Sequence, residues 1–280
     1  MLLSNVHRQG PATDRGAGSE LSSARPAPAV LGSDAEGQPS PAGGWKSYRL
    51  ADRAFLLWLG VATAILVLLE FLAYSPIYLY FFAWTLGVGL PLFLYRDAAR
   101  AAVRTILRRA PFLRFLGLGA GMVLAEETVA ALVNSMKEGF TVGLWLHRVP
   151  QFWLFNLLVF LPLFAGWYLV AGRLPYSLRE TTYLTGAVGV YTEHILALWL
   201  TNPLVAAIFT PVEMATYAVI ALPAMLSLPR TAAGKRSWPT WARYVALLVV
   251  PVVFAAVGAA AAEGLRGLQP GWFPPRSEIP

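Results

Sequence analysis

Residues 203–227 read PLVAAIFTPVEMATYAVIALPAMLS, and only Glu213 in that stretch is charged. As a helix rising about 1.5 Å per residue it would be about 38 Å long, enough to cross a hydrocarbon core about 30 Å thick. Comparable apolar runs cover 54–74, 77–95, 112–134, 151–171, 182–201 and 241–263, which makes seven. Ser75-Pro76 splits the first pair, and Thr201-Asn202-Pro203 splits the fifth from the sixth, so both breaks suit helical hairpins. The runs do not alternate apolar and polar residues, as strands of a membrane barrel would. The sequence predicts an all-α integral membrane protein, a bundle of seven transmembrane helices within residues 46–268.

Composition agrees. Of 280 residues, 57% are hydrophobic and 13% charged, against roughly 45–50% and about 25% in soluble domains. Mean hydropathy is +0.56. An ordinary soluble enzyme is excluded. With no cysteine, disulfides, thiolate metal sites and cysteine nucleophiles are excluded too. Residues 1–45 are rich in Ser, Pro, Gly and Ala and cannot bury enough apolar surface to offset their ordering entropy, so they read as a disordered tail. Residues 269–280 read as a flexible tail. No apolar segment near Met1 suits a signal peptide, so the first membrane helix is expected to serve as an uncleaved targeting signal.

Loops facing the cytoplasm hold most Lys and Arg. With the amino terminus inside, the inner flanks carry fifteen such residues and the outer flanks four: Lys137, Arg148, Arg266 and Arg276. That predicts a cytoplasmic amino terminus and a carboxyl terminus on the opposite side. It also accounts for most of the net charge of +7 without nucleic acid. In RDAARAAVRTILRRAP, residues 96–111, Arg96, Arg100, Arg104 and Arg108 recur every four residues and share a helical face. This segment is expected to set topology, or to lie on the inner leaflet against anionic headgroups.

Five of the fifteen acids fall inside the runs: Glu70, Glu126, Glu127, Glu193 and Glu213, with His194 beside Glu193. An ionised carboxylate near the bilayer centre costs at least about 2.5 kcal/mol. Without a cationic partner such acids are expected to be protonated, hydrated in a cavity, or bound to a cation. Counted from the run ends, Glu126 lies about 21 Å up, Glu193 about 17 Å up and Glu213 about 15 Å down, close to one level. Glu70, about 24 Å up, is set nearer the outer surface. Asn156 falls in the same outer half. Gly186, Gly189 and Glu193 recur along one helix face, and Gly117 and Gly121 precede the Glu pair, which suits a ligand groove or close helix packing. Pro211 and Pro223 are placed to free backbone carbonyls near Glu213.

The candidate catalytic set is Glu126, Glu127, Glu193, His194 and Glu213. It offers acid–base groups, or hard oxygen and imidazole ligands for a divalent ion such as Zn, Mn or Fe. No HxxxH, HExxH or DxxxD spacing supports the metal, and no GxSxG, Walker or Rossmann element supports serine hydrolase or nucleotide chemistry. Glu126-Glu127, then Phe152-xxx-Asn156, then His194 is similar in order to the motifs of the CAAX-type intramembrane proteases. Ala131 stands where that family has Arg, Asn156 where it has the first His, and Leu198 where it has Asn or Asp, so protease activity is not carried over. Pro211-Val212-Glu213 looks like the Pro-x-Glu element of the small membrane lycopene cyclases, but Met214 follows and a Pro-Trp-Asp element is missing. Neither resemblance assigns a family. The set points first to a membrane-embedded enzyme acting on a lipid-like or apolar substrate. The alternatives are a proton- or cation-coupled transporter and a non-catalytic subunit of a membrane complex.

Overall fold

The computed structural model describes residues 50–73, 77–106, 109–228 and 238–270. The predicted tail at 1–45, the break at Ser75-Pro76, Arg108 and the tail beyond residue 270 lie outside the described residues. All regular structure among the described residues is helical. α1 is Leu50–Ala73 and α2 is Ile77–Phe82; a π-helical stretch, Ala83–Gly89, joins α2 to α3, Leu90–Leu94. Then come α4, Arg96–Thr105; α5, Pro111–Lys137; α6, Val142–Ala171; α7, Leu178–Thr192; α8, Ile195–Thr201; α9, Pro203–Ser227; and α10, Thr240–Leu268. Among these, α1, α5, α6, α9 and α10 are long and apolar enough to cross a membrane. A sixth candidate is Leu79–Leu94 taken with α4, from which it bends by 82°.

The fifth predicted run, 182–201, is not one helix. It breaks after α7 at Glu193 and His194, where His194 adopts a left-handed backbone with φ 57°. α7 has 15 residues, a length of about 22 Å, too short to cross alone.

α9 runs through the centre and touches α1, α4, α5, α7 and α8. Trp84, Phe115, Phe164 and Trp167 are fully buried around it. Its prolines do not break it. Pro211 has no N–H, which releases the carbonyl of Ala207; the indole N–H of Trp58 on α1 donates to that oxygen at 2.8 Å. Pro162 likewise releases the Leu158 carbonyl on α6, and α10 presents Gly258 there, where an added Cβ would sit 2.0 Å from the Leu158 oxygen. α6 and α10 are thus in backbone contact.

Hydrogen bonds gather several helix ends at one face of the bundle. Asp52 at the start of α1 accepts from Arg179 Nε at 2.7 Å and from the Tyr183 hydroxyl at 2.8 Å on α7. Glu180 closes a capping box with Ser177 at the start of α7. It also accepts from the Tyr244 hydroxyl of α10 at 2.8 Å. Arg114 at the start of α5 donates to the carbonyls of Arg104 on α4, at 3.3 Å, and Ser227 at the end of α9, at 2.9 Å. The sequence counts Arg114 among topology-setting charges; the structure buries it as a cap on the negative end of α9.

Candidate functional site

Glu126 and Glu127 sit midway along α5, and both are buried. α6 fixes this turn of α5. Trp153 Nε1 donates to the Leu124 carbonyl at 2.9 Å and to Thr128 Oγ1 at 3.1 Å, bracketing the acid pair. The Tyr80 hydroxyl, from α2, donates to Glu126 Oε1. The Glu127 carboxyl lies near Glu126 and near the Asn156 amide on α6. Asn156 thus joins the acids, as its predicted level suggests.

Glu193 is the last residue of the α7 turn, and its backbone N–H caps the Gly189 carbonyl. It is exposed on the protein surface, and its Oε1 accepts from the Tyr217 hydroxyl at 2.5 Å. Tyr217 is buried on α9, one turn beyond Glu213, so α9 presents the acid and the phenol on adjacent turns of one face. Glu213 is half-buried and lies near enough to Glu193 and Glu126 for their charges to interact. Glu193 in turn lies near both members of the α5 pair. Four acids from α5, α7 and α9 therefore form one cluster.

His194 sits at the break itself and is exposed; among the described residues its imidazole makes no hydrogen bond to the acids. Glu70 lies apart. It lines a cavity of about 340 Å³ between α1 and α2 with Val67, Leu79 and Phe82, and its Oε2 is buried without a partner.

For the glycines the sequence leaves a ligand groove or close helix packing open, and the structure separates the two. Gly186 and Gly189 do not line a groove. An added Cβ would sit 2.6 Å from the Met214 carbonyl oxygen at Gly186 and 2.4 Å from the Tyr217 ring at Gly189. These glycines let α9 press against α7, and that contact brings Tyr217 to Glu193. Gly117 and Gly121 have nothing within 4 Å of an added Cβ and face away from the cluster; the tight α5–α6 contact is Gly119 on the Phe164 ring.

Among the described residues, the ion pairs Arg148–Glu138, Arg179–Asp52, Arg243–Glu180 and Arg266–Glu263 all lie away from these acids. Nor, among the described residues, do any three His, Asp or Glu side chains gather to hold one metal ion. The arrangement is a carboxyl cluster bonded by two phenols, with an amide nearby. The two tyrosines were not singled out from the sequence. Tyr217, four residues after Glu213, carried a signal in its spacing; Tyr80, within the aromatic run IYLYFF, carried none. No protein-family model, curated protein or solved structure matches this chain.

Proposed function

We propose that the chain is a membrane-embedded enzyme in which Glu126, Glu127, Glu193 and Glu213 do acid–base chemistry on an apolar or lipid-like substrate, with His194 assisting at the open side. The observation that carries this reading is the cluster itself: four carboxyls from three helices, bonded by Tyr80 and Tyr217 and near Asn156, with no cation among them in the described residues. Separate negative charges in so apolar a place repel one another and lose their hydration. Carboxyls that share protons escape both costs, and such a set can give a proton from one member while another takes one.

Access supports an enzyme over a transporter. Glu193 and His194 are exposed at the α7–α8 break, beside exposed Tyr191 and Leu196, so an apolar molecule can reach the acids from the side. From the cluster towards Arg114, neither α5 nor α9 carries another Asp, Glu, His, Lys or Arg. Along α5 and α9, then, no ionisable side chain links the cluster to the Arg114 face, whereas a coupled transporter needs a path to both sides. On this reading α7 and α8 together form a broken crossing, which makes seven crossings with the amino terminus cytoplasmic and the carboxyl terminus opposite.

The test incubates purified protein in nanodiscs with membrane lipid extract and follows lipid species by mass spectrometry. Wild type should convert at least one species; Glu126→Gln and Glu213→Gln should fold and convert none. Proton-driven flux in proteoliposomes without conversion would replace the enzyme with a transporter. Neither activity, with unchanged folding of the Gln variants, would favour a non-catalytic subunit.

A further inference from the structure

The amphipathic helix α4 lies at the Arg114 end of the bundle, away from the carboxyl cluster. It leaves the apolar segment Leu79–Leu94 at 82°, so it lies across the bundle axis rather than along it. Exposed rings flank it in the chain, Phe93, Tyr95 and Phe112, and exposed Trp238 and Trp241 stand at the start of α10, the end of that helix that meets the start of α7. Aromatic residues concentrate where hydrocarbon meets headgroups, so α4 sits at the headgroup plane. Val103 is buried, and α4 rests on α9.

Arg96 and Arg104 each lie about 40° around the helix from Arg100. Arg96 donates to the Phe93 carbonyl at 3.3 Å and stands over the Phe93 ring. Arg104 is exposed. Burial first, then the charge of Arg104, holds the Arg100 guanidinium below the ordinary arginine value, with Asp97 opposing and Arg96 adding to the effect. Asp97 is the only acid in the helix. The Nε of Arg100 is buried without a hydrogen-bond partner, and so is the Nε of Arg114 beneath the end of α4. Arg114 is 8% exposed, with its other guanidinium nitrogens already committed to backbone carbonyls. Crowded guanidinium groups set at the headgroup plane, one of them with its Nε unpaired, complement a phosphate.

We infer that α4 is a seat for an anionic phospholipid, whose phosphate is held by Arg96, Arg100 and Arg104 while its chains lie along Phe93 and Leu94. This reading is independent of the acid–base proposal.

Thermal unfolding of the full chain in detergent tests it, with added phosphatidylglycerol, phosphatidylcholine of the same acyl chains, or inorganic phosphate. Phosphatidylglycerol should raise the melting temperature more than phosphatidylcholine, and high salt should shrink the difference. Arg100→Gln with Arg104→Gln should weaken the phosphatidylglycerol effect about 25-fold in lipid concentration, at about fivefold per arginine. Arg173→Gln, at the same face but off α4, should leave it intact. If the Gln pair fails to fold, Arg100→Lys with Arg104→Lys keeps both charges and should keep the preference. Equal shifts with both lipids, or a preference that survives loss of both charges, overturns the inference. So does an arginine-dependent shift with inorganic phosphate alone, or a Lys pair that also fails to fold.

Discussion

The Tyr217–Glu193 bond joins two elements at one atom pair, and its removal is readable. Tyr217→Phe keeps the ring that packs against Gly189 but leaves the Glu193 carboxyl without its donor. The expected cost is about 1 kcal/mol, seen as a lower melting temperature. On the proposed chemistry turnover falls as well, because the proton-sharing set loses its alignment. His194 gives the opposite sign for stability. Its φ of 57° is a left-handed backbone that costs a β-carbon-bearing residue roughly 1–2 kcal/mol and glycine almost nothing. His194→Gly should therefore raise the melting temperature while removing the imidazole. A more stable protein with reduced conversion separates the side chain's role from the backbone's. Unchanged conversion would remove His194 from the chemistry and leave the four carboxyls in place.

At the scale of elements, legibility followed the type of signal. The long runs of α1, α5, α6, α9 and α10 were plain because uninterrupted apolarity is what crossing requires. The break at Glu193-His194 was not, because YTEHIL contains neither Gly nor Pro. The turn follows the place where α9 fits Tyr217 against Gly189, a tertiary contact that has no local code. The same holds for Gly186 and Gly117: spacing showed small residues but not which face meets a neighbour. The start of α7 was better marked, since Ser177 three residues before Glu180 is a capping box. Glu180 precedes the apolar run, and its carboxyl is held below its ordinary value of 4.5. Burial alone would raise it, but the Ser177 N–H, the Tyr244 and Ser177 hydroxyls and the Arg243 charge outweigh that. A depressed acid adds stability above its unfolded value and loses it as pH falls through its folded value. Stability should therefore drop on acidification below about pH 4.5, and Glu180→Gln should flatten that part of the profile in thermal unfolding.

For the whole molecule, length alone gives five or six crossings, one or two short of the seven runs in the sequence. One difference is the bent segment Leu79–Leu94; the other lies in α7–α8, and connectivity bears on it. Arg114 ties the end of α9 to the start of α5, and Asp52 ties the start of α7 to the start of α1. The chain must therefore climb between the start of α7 and the start of α9, whether or not the helix doing so is continuous. α10 begins at the shared face too, where the Tyr176 hydroxyl donates to the Arg243 carbonyl at 2.6 Å. With 29 residues it runs about 44 Å to the far side. The proposed orientation, with that shared face in the cytoplasm, rests on the Lys and Arg excess and not on the bundle's internal contacts. Reporters fused within α4 and after residue 280 test both statements at once. The α4 reporter should be active only in the cytoplasm and the carboxyl-terminal reporter only on the opposite side. Reversal of both would refute the charge-based orientation and leave the seven-crossing path standing. Finding both on one side would refute the path itself, because α10 would then have to begin at the end away from Glu180, against its bond to Tyr244.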